Sequence, residues 1–349
     1  MVEYVGAFHI HSCYSDGSGT LREITGAARR AGIDFFVLSD HDTLRPRADG
    51  WQGWCDGVLV IVGAEVSCRR RNHVIAIGAE DVTGLRFKPL RRVLFDLQNQ
   101  RALVFVAHAH PAHIMGYQVK GAPLEEWEVP GFTGVELWSF MHDICDNLTP
   151  WRMPSLLYTW RRAMRGPYPD TVAHYDRITQ MRRFAAVGSL DNHAVEVPFI
   201  GKKFIAYEEA FGALLTHVLC EELRGDRDDV GRLMSAVAAG RAFIAADMVG
   251  DAHGFRFEAD GPDGTLLVGD ERTWRGPTVL RVRSPLAAHL RLFGNGTPVA
   301  EADGTELEHR ADGPGVFRVE ARLRDWPWVY TNPIYLRPAG WAPTTAEAP

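Results

Sequence analysis

The sequence predicts an α/β fold in which a mainly parallel sheet or barrel is followed by a small all-β, sandwich-like module. Two observations support the barrel. Short apolar runs alternate with amphipathic segments over about residues 1–250, which is typical of buried parallel strands connected by helices. Nearly all of these runs also end in a histidine or a carboxylate. A third observation supports the module, because beyond about residue 250 strand-like alternation is punctuated by Gly, Pro and Asp turns.

The elements of the barrel follow one another in a regular order. The predicted strands are YVGAFHI, IDFFVLS, VLVIVGAEV, HVIAIGA, ALVFVAH, GFTGVELW and AAVGSL. TLREITGAARRAG, PLRRVLFDLQNQ and YDRITQMRRF predict helices between them, and EEAFGALLTHVLCEEL and DDVGRLMSAVAAG predict two more helices before a strand at RAFIAAD. We expect a barrel over 1–250 with an aromatic insertion at about 138–170, a module over 251–338 and a flexible tail over 339–349.

Composition and charge argue against several classes of protein. The chain is 46% hydrophobic and 23% charged with a net charge of −6, which is typical of a globular protein and gives no support to nucleic acid as a charge-driven partner, although a nucleic-acid substrate stays open. The five cysteines form no CxxC pair, so neither a disulfide framework nor a thiolate zinc site is indicated. No apolar run reaches the ~18 residues that a membrane span needs, and the N-terminus lacks a signal pattern. We expect a cytoplasmic protein without membrane contact, and the oligomeric state is not predicted.

Metal-capable residues stand where the predicted strands end. They are His9 and His11, then Asp40, His41 and Asp42, then Glu65, then His108 and His110, then Glu136, and finally Asp191 and His193. Because the carboxyl ends of parallel strands meet at one edge, we expect these side chains to converge. In an extended His9-Ile10-His11 both imidazoles point to the same side. Imidazole and carboxylate ligands together suit Zn²⁺, Mn²⁺ or Fe²⁺.

Five motifs carry a family resemblance. FHIHSCYSDG, VLSDHDT, GAE, AHAHP and GSLDNH occur in this order within about residues 6–246 and resemble the motifs of the PHP (polymerase and histidinol phosphatase) metal-dependent hydrolases. The resemblance implies a distorted (β/α)7 barrel of PHP type with two or three divalent ions (Zn, Mn or Fe). It places His9, His11, Glu65 and Asp191 around one metal, and Asp16, His41 and His193 around another.

Two positions of the resemblance stay open. A histidine of AHAHP would serve a site bridged through Glu65, where strand length after Leu103 favours His108 and the Ala-His-Pro match favours His110; we prefer His108. Glu136 stands where many three-metal relatives have a histidine, so two ions are the first expectation. Asp16 within SDG also fits a simple turn residue.

The predicted function is hydrolysis of a small-molecule ester by a metal-bridged hydroxide, with phosphate esters first. The C-terminal module, the segment YEEAFGALLTHVL and the closing YTNPIYLR resemble the branch of carbaryl hydrolases, which implies a carbamate, carboxylic ester or amide substrate as the alternative. A metal-binding scaffold without catalysis is the third hypothesis.

Roles beyond metal binding are assigned from position. Asp42 could accept the proton of the attacking water or orient an imidazole, and His193 could protonate the leaving group. Arg45, Arg69 and Arg71 could clamp an anionic substrate, although the run 69–71 also fits a solvated face. His73, His113, His142 and His174 are expected as hydrogen-bonded loop residues, with His73 and His113 as further candidates.

Overall fold

The structure is a computed structural model that describes residues 1–110, 112–114, 117–120, 124–146, 159–197 and 201–343. For residues 71, 112–114 and 117–120 it describes the backbone alone. The candidate His113, the side chain of Arg71, residues 147–158 of the expected insertion and residues 344–349 of the expected tail therefore lie outside the described residues.

Fourteen strands precede residue 250 in the described part of the chain. They are β1 (Val2–Ile10), β2 (Phe35–Leu38), β3 (Gly53–Cys55), β4 (Val58–Ser67), β5 (His73–Ile77), β6 (Leu103–Ala107), β7 (Ala112–Ile114), β8 (Tyr117–Lys120), β9 (Gly134–Ser139), β10 (Ala185–Asn192), β11 (Glu196–Val197), β12 (Lys202–Lys203), β13 (Leu215–Cys220) and β14 (Ala242–Ala245).

The described α-helices all belong to the same part of the chain. They are α1 (Leu21–Ala31), α2 (Arg45–Ala48), α3 (Leu90–Asn99), α4 (Phe140–Asp146), α5 (Pro169–Met181), α6 (Tyr207–Ala210) and α7 (Asp229–Ala238), with 3-10 turns at Arg69–Arg71 and Trp160–Ala163. Within the described ranges, none of these helices combines the length and apolar character that crossing a membrane requires.

Seven strands close a barrel in the order β1, β2, β4, β5, β6, β9, β10 and back to β1. All neighbours are parallel except β5, which runs antiparallel to both β4 and β6. The strands are buried on both faces, as the continuous apolar runs predict. Two glycines allow close strand approach: a Cβ at Gly6 would lie 2.4 Å from Phe35 O, and one at Gly134 would lie 2.2 Å from Ala185 O.

The crossover helices follow their sequence signals. Helix α1 begins at Thr20, whose side chain and that of Glu23 form a capping box, and it ends at Gly32 with a φ of 76°. It lies between β1 and β2, while α3 precedes β6 and α5 connects β9 to β10. The link from β4 to β5 has only a 3-10 turn, because antiparallel neighbours do not need a crossover helix.

One predicted helix is wrong. In EEAFGALLTHVLCEEL only the start belongs to a helix, α6, whereas Leu215–Cys220 forms β13, antiparallel to residues 2–6 of β1. All six residues of β13 are buried. The segment pairs β1 on one side and β14 on the other, so its β-branched Thr216 and Val218 fit a buried strand better than a helix.

The remaining strands form a mostly antiparallel C-terminal module. They are β15 (Arg256–Gly261), β16 (Gly264–Leu267), β17 (Glu271–Thr273), β18 (Thr278–Gly294), β19 (Thr297–Ala311), β20 (Gly315–Leu323), β21 (Trp326–Thr331) and β22 (Ile334–Arg337). Strand β21 pairs with β14 and so joins the module to the sheet of the barrel. The core of the module contains Phe257, Leu290 and Trp328.

A buried asparagine fixes this junction. The Oδ1 atom of Asn332 accepts hydrogen bonds from Ala186 N at 2.7 Å and Tyr175 Oη at 2.9 Å. Its Nδ2 atom donates to Ala186 O and Ala242 O, both at 2.9 Å. Asn332 therefore holds β10 and β14 together from the module side.

Candidate metal centre

The candidate site lies at the carboxyl ends of the barrel strands, where the backbone departs from regular strand geometry. His9, His108 and Asp191 have positive φ values of 66°, 28° and 48°. The pairing of β1 with β10 shifts register between Phe8 and Ile10. Such irregularities at strand ends re-aim side chains. The convergence of His9 and His11 thus depends on a bulge, and not on the simple alternation that the sequence predicts.

A first cluster contains His9, His11, Glu65 and Asp191, all of them buried, with one ligand atom from each lying within 4.8 Å of the others. The Nε2 atoms of His9 and His11 are 3.2 and 3.3 Å from Glu65 Oε2. The same two atoms are 3.5 and 3.3 Å from Asp191 Oδ1. Two imidazoles and two carboxylates thus surround one point, as the resemblance implies.

A second cluster contains His11, Asp16, His41 and His193 within the same 4.8 Å limit. The carboxylate of Asp16 is 3.3 Å from His193 Nε2, 3.5 Å from His41 Nε2 and 3.6 Å from His11 Nδ1. Asp16 is 55% exposed, whereas His11 is fully buried. This cluster therefore forms the solvent-facing side of the site.

The remaining clusters add two histidines that the sequence reasoning assigned to loops. His142, on α4, lies with its Nε2 3.5 Å from Asp191 Oδ2 and forms a cluster with His108 and Asp191. His73, at the start of β5, lies with its Nδ1 2.6 Å from Glu65 Oε1 and forms a cluster with Glu65 and His41. The expectation of a loop residue is wrong for both, but His73 is also one of the further candidates that the sequence suggests. His174 stacks on Trp127 outside the clusters.

Glu65 lies at the centre of the site. Its Oε1 atom is 2.8 Å from His108 Nε2, and its Oε2 atom is 3.2 Å from His41 Nδ1. It therefore has imidazoles on both oxygens, the position that a carboxylate bridging two ions would take.

Several polar atoms of the site have no hydrogen-bond partner in the described part of the chain although they are buried. They are His9 Nε2, His11 Nε2, His41 Nδ1, His142 Nε2 and Glu65 Oε2. A buried polar atom without a partner is costly, and its usual explanation includes an ion. Imidazole nitrogens and carboxylate oxygens that face one another without hydrogen bonds match the donor set of divalent transition metals. The residues present therefore fit metal ions.

Hydrogen bonds at the opposite ring nitrogens orient three of these histidines. His9 Nδ1 is 2.6 Å from Glu136 Oε1, His142 Nδ1 is 3.1 Å from His110 O, and His193 Nδ1 is 3.0 Å from Asp191 O. If Nδ1 donates in each pair, Nε2 is left as the lone-pair atom that faces the cluster. Such partners fix the tautomer of a metal-binding histidine.

The protonation states follow from the same surroundings. Burial alone raises the pKa of Glu65, but the charges of His9 and His73 and the hydrogen bond to His108 hold it well below its usual value. Burial and the neighbouring His142 lower the pKa of His108 to about 4. Burial lowers the pKa of His9, but Glu136, Glu65 and Asp191 raise it well above its usual value. A neutral His108 and an ionised Glu65 have the protonation states of metal ligands, whereas His9 would release a proton on binding a metal through Nε2.

Glu136 and His110 lie in positions other than those predicted. Glu136 is outside the clusters found among the described residues and accepts a hydrogen bond from His108 N through its second oxygen at 2.8 Å. It orients His9 and does not share a cluster with it. The His110 ring stacks on Tyr168 with its Nδ1 2.7 Å from Thr171 Oγ1, so only its carbonyl, through His142, reaches the site.

The predicted catalytic role of Asp42 is not supported by its contacts. Its Oδ1 atom accepts a hydrogen bond from Ser67 N at 2.8 Å, and its Oδ2 atom pairs with Arg86 at 3.3 Å. Its neighbour Asp40 is buried instead and accepts hydrogen bonds from Ser12 and Ser15 in the loop that carries Asp16. Asp42 thus ties its own loop to the end of β4 and to Arg86. Asp40, which the sequence places among the metal-capable residues, contacts the loop that carries Asp16 and is a positioning residue.

Two of the three arginines of the predicted anion clamp have described side chains. Arg45 lies over the Tyr14 ring and is 3.7 Å from Asp49, and both Arg45 and Arg69 are exposed. The side chain of Arg71 lies outside the described residues, so the clamp stays a prediction.

Part of the chain is similar in sequence to a known phosphodiesterase. The chain is 32% identical over 79 residues to the phosphoribosyl 1,2-cyclic phosphate 1,2-diphosphodiesterase of Eggerthella lenta, a match that spans 21% of this chain and 30% of that protein. No family model matches the chain.

Two solved structures resemble the fold. One is a two-domain protein from Bacteroides vulgatus described as containing a predicted PHP-like metal-dependent phosphoesterase, with 15% identity, 95% of each chain covered and a TM-score of 0.47. The other is Endonuclease Q in complex with a DNA duplex, with 14% identity, 66% of this chain and 57% of that chain covered, and a TM-score of 0.37. The likeness to the carbaryl-hydrolase branch stays a prediction.

Proposed function

We propose that this chain is a metal-dependent phosphoesterase of PHP type, built on a distorted (β/α)7 barrel and acting on a small phosphate ester. The observation that carries the proposal is the set of buried imidazole and carboxylate atoms at the barrel rim that face one another without hydrogen bonds. A structural network would satisfy these atoms, whereas a metal site leaves them for the ion.

The proposed ligands divide between two ions, with room for a third. His9, His11, Glu65 and Asp191 would hold one ion, and Asp16, His41 and His193 would hold a second. A third would lie among His108, His142 and Asp191. Many three-metal relatives have a histidine at the position of Glu136, and here His142 of α4 would take its place. Zinc, manganese and iron all suit these donors.

Divalent ions bound here would act as Lewis acids. They would also lower the pKa of a bound water, so that hydroxide is available at neutral pH. The side chains around the proposed ions determine how a substrate would approach them. Asp16, which is 55% exposed, marks the side from which substrate enters. His193 points Nε2 at Asp16 and, with its Nδ1 directed at Asp191 O, fits a ligand better than the predicted proton donor.

Metal analysis and a substrate series test the proposal. Purified protein should carry about two or more ions per chain and should hydrolyse bis-p-nitrophenyl phosphate or p-nitrophenyl phosphate. Chelation should abolish turnover, and manganese or zinc should restore it. Faster turnover of 1-naphthyl N-methylcarbamate than of either phosphate ester would favour the carbamate alternative, and bound metal without any turnover would favour the non-catalytic scaffold.

A further inference from the structure

A cavity of about 560 Å³ lies between the barrel and the C-terminal module and shares no residue with the clusters of the candidate metal centre. One wall comes from the 3-10 turn at Trp160–Ala163 and the other from the β18 and β20–β21 segments. Its volume falls within the range of ligand pockets, about 300–1,000 Å³.

The floor of the cavity is apolar and tightly built. It is formed by Met248, Leu286, Leu323 and Trp326, among others. A Cβ on Gly250 would lie 2.5 Å from Leu323 Cδ1 and 2.9 Å from Leu286 Cδ1, so the backbone of this loop packs directly against both leucines. Leu286 nevertheless remains 39% exposed. The floor therefore offers apolar surface to a ligand.

Three arginines, Arg161, Arg162 and Arg324, complete the lining, and none of the described lining residues has a carboxylate. None of the three forms an ion pair in the described part of the chain, whereas Arg281, Arg318 and other arginines of the module pair with Asp or Glu. Residues 147–158, which precede Arg161 in the sequence, contain no Asp or Glu. On a chain of net charge −6, this is a local excess of positive charge next to an apolar floor.

We propose that this cavity binds a small organic anion with an apolar body. The guanidinium groups would pair with its carboxylate or phosphate head, because their planar donor pairs match such oxygens. The hydrocarbon part would cover Leu286 and its neighbours, since removing apolar surface from water is favourable by roughly 25 cal/mol per Å². This site is separate from the proposed phosphoesterase site and does not depend on it.

Isothermal titration calorimetry of the metal-loaded protein with octanoate tests the proposal. We expect about one octanoate per chain, bound at least about tenfold tighter than 1-octanol, which lacks the charge, or acetate, which lacks the apolar body. The double variant Arg162→Ala/Arg324→Ala should weaken octanoate binding about tenfold or more and leave 1-octanol binding unchanged. Arg161 is left in place because its guanidinium lies over the buried Trp160 ring, 4.4 Å from the centroid.

The matched control is Arg22→Ala/Arg29→Ala, which removes two exposed arginines of α1 and should bind octanoate like the wild type. Circular dichroism checks that both double variants are folded. Equal binding of octanoate and 1-octanol, or wild-type octanoate affinity in Arg162→Ala/Arg324→Ala, would overturn the proposal. Loss of octanoate binding in Glu65→Gln would also overturn it, because the anion would then be held at the metal centre.

Discussion

Two groups of buried histidines and carboxylates, one at the barrel rim and one around His217 of β13, differ in how their polar atoms are satisfied. At His217, Nδ1 is 2.8 Å from Glu3 Oε1 and Nε2 is 2.8 Å from Asp247 Oδ2. The second oxygen of Glu3 accepts from Arg256 Nη1 and Gly254 N. At the rim, in contrast, His9 Nε2 and His11 Nε2 have no hydrogen-bond partner in the described part of the chain.

The comparison shows that a buried histidine among carboxylates does not by itself indicate a metal. The His217 group is a closed network in which both ring nitrogens have partners, so it stabilises the fold without an ion. The rim group has the same residue types but leaves imidazole and carboxylate atoms facing one another, which is the arrangement that a bound cation would satisfy. The two groups are distinguished by whether their polar atoms have hydrogen-bond partners, and not by their residue types.

The largest effect that separates the groups is expected from Glu65→Gln. The amide would remove the central charge while nearly keeping the shape, so bound metal should fall and kcat/KM on a phosphate ester should drop at least ~10³-fold, about 4 kcal/mol. Plasma mass spectrometry and the hydrolysis assay measure both. Glu3→Gln, the matched change in the closed network, should keep its metal. Full metal content in Glu65→Gln would contradict our interpretation of the rim.

The reverse pattern is expected from His217→Ala. Removing the imidazole leaves Glu3 and Asp247 without their shared partner, which should lower the free energy of unfolding by about 3 kcal/mol or more, while metal content stays unchanged. Urea unfolding measures the loss. His289→Ala, a partly exposed histidine next to Asp303, is the control and should cost less than about 0.5 kcal/mol. Metal loss without destabilisation in His217→Ala would break the comparison.

The closed network also predicts a dependence of stability on pH. Burial lowers the pKa of His217, but its hydrogen bonds to Asp247 and Glu3 outweigh burial and raise the pKa to about 9. Its stabilisation, up to about 3 kcal/mol, should be complete below about pH 6.5 and lost as pH rises through about 9. Burial raises the pKa of Glu3, but hydrogen bonds to His217 and Arg256 lower it to about 2, so its share is lost only as pH falls from about 4.5 through 2.

Urea unfolding at about pH 5.5, 7.5 and 9.5 tests the predicted direction of the pH dependence at His217. The difference in unfolding free energy between wild type and His217→Ala should be largest at the lowest of these pH values and should shrink toward the highest. A difference that grows with pH would show that His217 is neutral in the native state.

Much of the rim could be predicted from sequence because it depends on strand ends. His9, Glu65 and Asp191 follow or close buried apolar runs, and parallel strands bring their carboxyl ends together. His73 could not be placed in this way. It starts β5, and the first residue of a parallel strand would lie at the opposite end of the barrel. Only the antiparallel pairing, which sets His73 opposite Ser67, brings it to the rim.

Other features of the structure could not be predicted from the sequence, for different physical reasons. His142 belongs to α4, which follows β9 directly, so no strand-end rule applies to it. The sequence of Leu215–Cys220 predicts a helix because its apolar residues fit both periods, whereas pairing with β1 makes it a strand. The closed network at His217 joins residues more than 200 positions apart and leaves no local sequence signal.

A smaller effect is expected from Asp40→Asn. The Asp40 carboxylate accepts hydrogen bonds from Ser12 N at 2.8 Å and from Ser15 Oγ at 2.6 Å, and so fixes the loop that presents Asp16. The amide keeps one acceptor oxygen, so we expect only about tenfold weaker binding of one ion, about 1.4 kcal/mol, with the other ions retained. Metal titration with a competing chelator measures the affinity. Unchanged affinity for every ion would show that Asp16 is positioned without Asp40.

The smallest effect is expected from His110→Ala, which also tests the choice left open in AHAHP. The ring of His110 has its Nδ1 2.7 Å from Thr171 Oγ1 and its Nε2 3.6 Å from the exposed Asp170 carboxylate, so its side-chain contacts lie outside the metal clusters. Its contact with the site is through the backbone, which alanine keeps. Activity should therefore stay within about threefold of wild type, whereas His108→Ala should lose about 100-fold, because His108 contacts Glu65 inside the site. The reverse order of the two variants would assign His110 as the ligand.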